Sequence, residues 1–420
     1  MKKLTIIILC IVHYALCIAS TIPTNLPNFR AVIPSRTDKV RTISDSAKFY
    51  LVTCEPGAEI YERFGHSGIR VCDSINRVDE VFHWGLFSFD TPNFVGRFIS
   101  GNTDYEMGVY STKFFLPQYR ERGSSVFAQE LNLSPEQKQE LYAKLWDNYR
   151  PENRKYRYNF IYDNCATRPY QLISSVYNNK ITNQTPKLQI TYRDIINKYV
   201  PIGSPFNTGI NLIIGSKADR IITTKESVSF PMYTMEALRN THFITHDGTT
   251  EPIVLAQETM YSAPSKEFTT SPFTFWAWVI IPLLLTIASF VYTAKKKRYM
   301  PLLTPLTLFA SALIGIIISY LWFFSQHPLV DNNINLLWCN PLNLFLVAFL
   351  FIHKSSTIRT FKLAISTLSL IFGAIYLFAL SIDYQAITPQ LASLWLLIFT
   401  VNATIVYTYR YKFKKLRHKK

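Results

Sequence analysis

Apolar positions divide the chain into three regimes. Residues 4–19 form one apolar run behind the basic head Met1-Lys2-Lys3. Residues 47–271 mix short alternating segments with turn-forming residues. Five long apolar stretches follow Pro272, at 273–293, 302–324, 336–352, 361–382 and 391–409. Each approaches the ~20 residues that an α-helix needs to cross a bilayer. The first run is shorter, follows basic residues and ends in small ones, which is the pattern of an export signal over 1–20, cut after Ala19 or Ser20. Residues 21–46 lack periodicity and read as a linker or arm.

Within 47–271 the pattern predicts strands at 49–53, 67–71 and 81–85, from their β-branched and aromatic content and their alternation. Ser134-Pro135-Glu136-Gln137 predicts a helix start: Ser134 caps, Pro135 suits the first helical position and Gln137 completes a capping box. Leu141, Leu145 and Trp146 supply its apolar face as far as Tyr149. An aromatic run, 156–162, leads into Asp163-Asn164-Cys165, and 183–271 is mixed helix and strand. The expected architecture is an α+β exported domain at 47–271 and an all-α membrane domain of about five transmembrane helices at 272–420.

Charge sets the orientation. The chain carries a net +16, but Lys295 to Lys420 holds 14 basic and two acidic residues, against 30 and 26 before it. The exported part is therefore nearly neutral and lacks the basic face that a nucleic-acid binder needs. The excess sits at Lys295-Lys296-Lys297-Arg298, at Lys354, Arg359 and Lys362, and in the tail from Arg410, while the links 325–335 and 383–390 hold no Lys or Arg. The positive-inside rule puts the N-terminal domain and the two uncharged links outside and the tail in the cytoplasm, as an odd number of spans requires. The protein is expected in a bacterial inner membrane.

Candidate chemistry centres on Cys165. Cys10 and Cys17 belong to the signal and Cys339 to the membrane block, leaving Cys54, Cys72 and Cys165 in the exported domain. A disulfide between Cys54 and Cys72 would leave Cys165 as a free thiol in an oxidising compartment. Asp163 and Asn164 are good helix caps, and a helix beginning there would set the sulfur at a positive dipole end that lowers its pKa. Pro169 stands against this, because it removes a backbone donor in the first turns. For a base, His66 lies between glycines in Phe64-Gly65-His66-Ser67-Gly68, and His83 could orient it; His242 and His246 occupy a polar stretch. A buried structural cysteine and structural histidines are the plain alternative. No Cys/His spacing suits a metal, and no glycine-rich phosphate loop or serine elbow is present.

Phe64-Gly65-His66-Ser67 with Arg70, Trp84-Gly85, Asn93-Phe94, Gly101 with Tyr105, Leu131-Asn132-Leu133, and Tyr158-Asn159-Phe160 leading to Asp163-Asn164-Cys165 with Thr167-Arg168 resemble the periplasmic domain of the Bacteroidota lipoprotein N-acyltransferase family, Lnb. His327-Pro328, Asn335-Leu336-Leu337-Trp338 and Asn340-Pro341 resemble that family's transmembrane signature, so the likeness covers about residues 47–360. The order of His before Asn-Cys also resembles permuted papain-like acyltransferases of the lecithin:retinol type. Pro169 and His83 depart from the family pattern.

The resemblance implies a permuted papain-like domain with Cys165 and His66 as its dyad. It implies transfer of an acyl chain from a phospholipid, through a Cys165 thioester, to the α-amino group of a diacylated lipoprotein, without a cofactor. Asn164 would hold the oxyanion or orient the thiol. Arg70 and Arg168 would meet a phosphate or pair with acids, and Tyr158 and Asn159 would line the substrate site. His327, Trp338 and Asn340 would lie near the outer helix ends and serve a cavity or headgroup. Two other readings compete. One is a membrane-anchored papain-like peptidase or amidase of the cell wall, and the other is a non-enzymatic assembly factor with a structural Cys165.

Overall fold

The computed structural model describes residues 42–417 apart from 89, 179, 185–187, 246, 265–267 and 353–354. The expected signal at 1–20, most of the arm at 21–46, His246 and Lys354 lie outside the described residues. Strands β1 (Lys48–Cys54), β2 (His66–Asp73), β3 (Val78–Leu86), β4 (Asp104–Ser111), β5 (Val126–Leu131) and β6 (Lys155–Arg157) build one sheet. Three short strands, β7 (Ile181–Asn183), β8 (Thr241–Ile244) and β9 (Thr250–Pro252), form a second, and β10 (Val254–Tyr261) returns to the first. The large sheet is seven-stranded and antiparallel, in the order β10-β5-β1-β2-β3-β4-β6.

β1 explains this placement. All its residues after Lys48 are buried, which suits only a strand covered on both faces and paired on both edges. Helices α1 (Phe94–Ile99), α2 (Thr112–Arg122), α3 (Pro135–Tyr149) and α4 (Thr167–Ser175) supply most of the cover. Phe49 and Leu51 face Ile69, Val71, Phe82 and Trp84 under the Leu141, Tyr142 and Leu145 stripe of α3. Tyr50, Val52 and Cys54 point the other way, toward Val81, Tyr110 and the Phe115 and Tyr119 of α2. The capping box forms as expected: Ser134 Oγ accepts from the Gln137 N–H, and Gln137 Oε1 accepts from the Ser134 N–H.

The expected disulfide does not form. Cys54 and Cys72 are both free, and they sit at opposite ends of the β1–β2 pair, where Cys54 faces His66 and Cys72 faces Lys48. Six residues of antiparallel strand separate those positions by roughly 20 Å, far beyond disulfide reach.

Further on come α5 (Tyr192–Tyr199), α6 (Pro205–Ile213), α7 (Thr224–Ser227) and α8 (Pro231–Arg239), then the membrane block of α9 (Pro272–Lys296), α10 (Leu303–Phe324), α11 (Asn343–Leu350), α12 (Ser356–Ser381) and α13 (Pro389–Arg417). Among the described residues four helices, α9, α10, α12 and α13, are long and apolar enough to span. The third apolar stretch differs from the expectation of a regular helix. It is a 3₁₀ turn, Ile334–Leu337, a non-helical link through Asn340-Pro341, and then the eight residues of α11, about 12 Å long. Proline removes a donor, and Asn340 Oδ1 accepts the Leu342 N–H instead, so the helix restarts only at Asn343. The stretch still runs the depth of the bundle. Trp338 packs with Ile318, Tyr376 and Leu391, whereas Leu350 packs with Leu308, near the other end of α10. Irregular backbone is tolerated at that depth because Asn335, Trp338, Cys339 and Asn340 are all buried in protein.

The exported domain is fastened to the outer ends of these helices. Gln326 N–H donates to Ser100 O, Ser325 Oγ to Ile99 O, and Ser100 Oγ shares a hydrogen with Tyr320 Oη at 2.7 Å. Asn333 and Asn335 donate to Leu212 O at the end of α6, and Gly215 N–H donates to Leu329 O. Arg63 lies over the ring of Phe268, just before α9 begins. The end of the sheet where β2 starts at His66 therefore faces the membrane block.

Candidate active site

Local hydrogen bonding presents Cys165. Asn159 and Asp163 exchange backbone hydrogen bonds of 2.9 and 3.1 Å, and Asn159 Oδ1 accepts from the N–H groups of Ile161 and Tyr162, so 159–163 closes as a tight loop. Asn164 is buried and uses its whole amide. Its Oδ1 accepts from Ala166 and Thr167 N–H, and its Nδ2 donates to Phe160 O and Ser229 O. Those bonds cap α4, which starts at Thr167, two residues after the thiol. Pro169 is then the third residue of the helix, where the N–H has no intrahelical partner to lose. Asp163 is held by a bidentate pair with Arg168, whose guanidinium stacks 3.7 Å from the Tyr156 ring centroid.

Across from this corner, β3 bulges. Its register with β4 slips between Trp84 and Leu86, and Gly85 adopts φ +103°. Only glycine takes that conformation without strain, and bulges often bend a strand beside an active site. A Cβ placed on Gly85 would lie 3.7 Å from Cys165 Cβ and 3.9 Å from His66 Cε1. Cys165 and His66 thus close around the same glycine, one from the start of α4 and one from the start of β2.

His66 is held on both faces of its ring. Its Nε2 lies 3.0 Å from His83 Nδ1, and it stacks on Tyr119 with ring planes 18° apart. His83 is buried on β3 between Tyr110 and Phe115. The histidines share a face of the sheet because Gly68 pairs with His83 and His66 lies two residues before Gly68.

Burial dominates the electrostatics. It drives the His66 imidazole down to about 3, with the Arg122 guanidinium adding to the effect, and holds His83 well below its ordinary value. The Cys165 thiol is pushed up to about 11 by burial, opposed by hydrogen bonds from the N–H groups of Ser67 and of Cys165 itself. The helix dipole does not prevail as expected: desolvation is larger, and the resting pair is a neutral thiol beside neutral imidazoles.

The other expected site residues divide. Tyr158 stacks on Tyr105 at 4.2 Å, and the nearby Cys165 adds to burial in holding both phenols up. Arg70 is on β2 but bound bidentately to Asp79, four residues along from His66, and does not reach the thiol. His327 Nε2–H donates to Phe98 O at the junction of the domain and the membrane block. Trp338 donates to Asn335 Oδ1 inside the bundle, and Asn340 caps the break described above. Among the described residues His242 lies on β8, away from this corner. Sequence reasoning missed Tyr119, Gly85 as a bulge and the Ser67 N–H. Gly85 could have been found from the Trp84-Gly85 pair at the end of a strand.

Comparison with curated proteins and with solved structures returns no match. Two family models do match: the Lnb N-terminal periplasmic domain over residues 36–198 and the Lnb transmembrane domain over residues 264–415. The exported domain that carries Cys165 and the helices beneath it match in the same order as they occur in the chain, which belongs to the Lnb family.

Proposed function

We propose that the protein is a cysteine-dependent lipoprotein N-acyltransferase of the inner membrane. The supporting observation is the closure of Cys165 and His66 around Gly85, at the end of the sheet that faces the membrane block. A thiol at that level can meet an ester of a phospholipid without the lipid leaving its leaflet.

His66 Nε2–H donates to His83 Nδ1, which leaves His66 Nδ1 free to take the thiol proton as Sγ attacks the ester carbonyl. The carbonyl oxygen becomes an oxyanion. The N–H groups of Ser67 and Cys165 are the donors at hand, since the Asn164 amide is already spent on two carbonyls. The C–O bond breaks, and the lysophospholipid oxygen takes the proton back from His66. The α-amino group of a diacylated lipoprotein then attacks the thioester and gives a proton to His66, and the C–S bond breaks. The proton returns to Sγ, and the product is an amide. The neutral resting pair suits this course, because charge develops only during attack.

The tail beyond α13 lies in the cytoplasm on this reading, opposite the periplasmic domain. The test is purified full-length protein given phospholipid, followed by mass spectrometry of the Cys165 peptide. An acyl adduct on Cys165, discharged by a diacylated lipopeptide with formation of an N-acyl product, is expected. A Cys165→Ser protein that N-acylates lipopeptide as well as wild type would overturn the reading.

A further inference from the structure

The helix α1 buries none of its side chains, although five of its six residues are apolar or glycine. Val95 is 69% exposed, Phe98 46% and Ile99 39%. Its only charge is drawn aside: Arg97 donates to Asn102 O and to Asp104. A short helix of this kind on a water-facing surface would be costly in exposed apolar area.

Its height against the membrane block is set by hydrogen bonds. Ser100, the residue after the helix, bonds Tyr320, one turn before the end of the spanning helix α10 at Phe324. Ile99 O and Ser100 O accept from Ser325 and Gln326, and Phe98 O from His327. Phe323 and Phe324 are exposed at the same end of α10, as aromatic residues are where a span meets the interface. α1 is therefore level with the outer headgroup and acyl boundary.

From that helix a row of rings runs inward. Phe98 stacks near Phe94 at 6.2 Å, Phe94 on Phe87 at 5.7 Å, and Phe87 on Tyr105 at 4.9 Å. Tyr105 stacks on Tyr158, and both lie close enough to Cys165 for its charge to act on them. Exposed Ile60 and Tyr61 form a second apolar lip, with Tyr61 edge-on to Phe87.

We infer that the exposed face of α1 lies in the outer leaflet and begins an aromatic route by which one acyl chain of the donor phospholipid reaches Cys165. This rests on the acyltransfer reading and adds the path of the chain to it. An apolar face at membrane level, continuous with a row of rings that ends at a thiol, fits a hydrocarbon chain. A protein partner would gain nothing from the inward row.

The experiment uses the full chain in phospholipid nanodiscs. Benzoylphenylalanine in place of Phe98 should crosslink to lipid several-fold more than at Ile75, which is exposed in the turn at the other end of β2. Equal lipid capture at the two positions overturns the inference. In a second measurement, Val95→Asp with Phe98→Asp is compared with wild type for thioester formation from bilayer phospholipid and from monomeric dihexanoyl phospholipid. The ratio of bilayer to soluble-donor rate should fall at least tenfold. An unchanged ratio refutes the route even if both rates drop. Wild type that forms no thioester from either donor refutes acyl transfer itself, and the route with it, whatever the crosslink gives.

Discussion

His66 Nε2 and His83 Nδ1 lie 3.0 Å apart, so the base at the thiol is itself held by a second, fully buried imidazole. His83 acts as a positioning residue: it touches the reacting sulfur only through His66. In the tautomer that frees His66 Nδ1, His83 accepts a hydrogen bond, and any acceptor at that point would serve. His83→Asn places an amide oxygen near the Nδ1 position and should keep thioester formation within about tenfold of wild type. His83→Phe fills the space without an acceptor and should lower the single-turnover acylation rate by about 10²-fold or more, with the lipid concentration for half-maximal rate unchanged. Equal loss in both variants would mean that the ring serves packing alone.

The Gly85 bulge makes a separate prediction. Gly85→Ala introduces a Cβ with ordinary contacts to Cys165 and His66, so crowding is not the main cost. The cost is φ +103°, which an L residue adopts at a penalty of about 1–3 kcal/mol. If the chain relaxes toward negative φ, β3 straightens and the gap between thiol and imidazole changes. Thioester formation should fall by more than the loss of thermal stability explains, and scanning fluorimetry alongside the acylation rate checks this. A variant that is less stable but fully active would show that the bulge is not needed for the site.

These elements differ in how legible they are. The capping box at Ser134 and the strand at 49–53 were readable because their causes are local: a side chain bonding within three residues, and an apolar run between turns. The pairing of Cys54 with Cys72 was not, because register is a long-range property. Only the β1–β2 ladder reveals that six residues of strand separate them. The dyad was found through residue types and a family likeness, while Tyr119 and the Ser67 N–H were hidden because they arrive from α2 and from the backbone. The broken third span was half readable. Asn340-Pro341 announced a fault, but the burial that makes it tolerable depends on α10 and α12.

Asn164 gives a test of stability with a sign. Its Nδ2 donates to two carbonyls and its Oδ1 accepts two N–H groups, all in a buried corner. Asn164→Ala leaves those groups unpaired and should cost on the order of 2–4 kcal/mol. In Asn164→Asp a carboxylate would face two carbonyl oxygens, so its folded pKa rises above the unfolded value of about 4. The contribution is then best below that value and is lost as pH rises through the folded pKa. Wild type moves the other way: buried neutral His66 and His83 must take protons on unfolding, so stability falls as pH drops below about 6.5. Melting temperatures at pH 5 and pH 8 should therefore shift in opposite directions for Asn164→Asp and for wild type. Parallel shifts would contradict the hydrogen-bond assignment.

Cys165 itself gives the last prediction, because its chemistry at neutral pH depends on which of two forces prevails. A helix start and two N–H donors favour the thiolate, while burial disfavours it more, and the thiol stands at about 11. At pH 7 on the order of one molecule in 10⁴ then carries a free thiolate. Labelling by iodoacetamide, read on the Cys165 peptide, should climb about tenfold for each pH unit from 7 to 10, since the thiolate is the nucleophile. Acylation by phospholipid should not follow that slope, because His66 removes the proton during attack and stays neutral down to about 3. His66→Ala separates the two readouts: it should abolish acylation and leave the slope of alkylation as it is. A plateau in wild-type labelling below pH 8 would mean a preformed thiolate and imidazolium pair. The neutral-pair mechanism would then be wrong even if the acyl transfer were right.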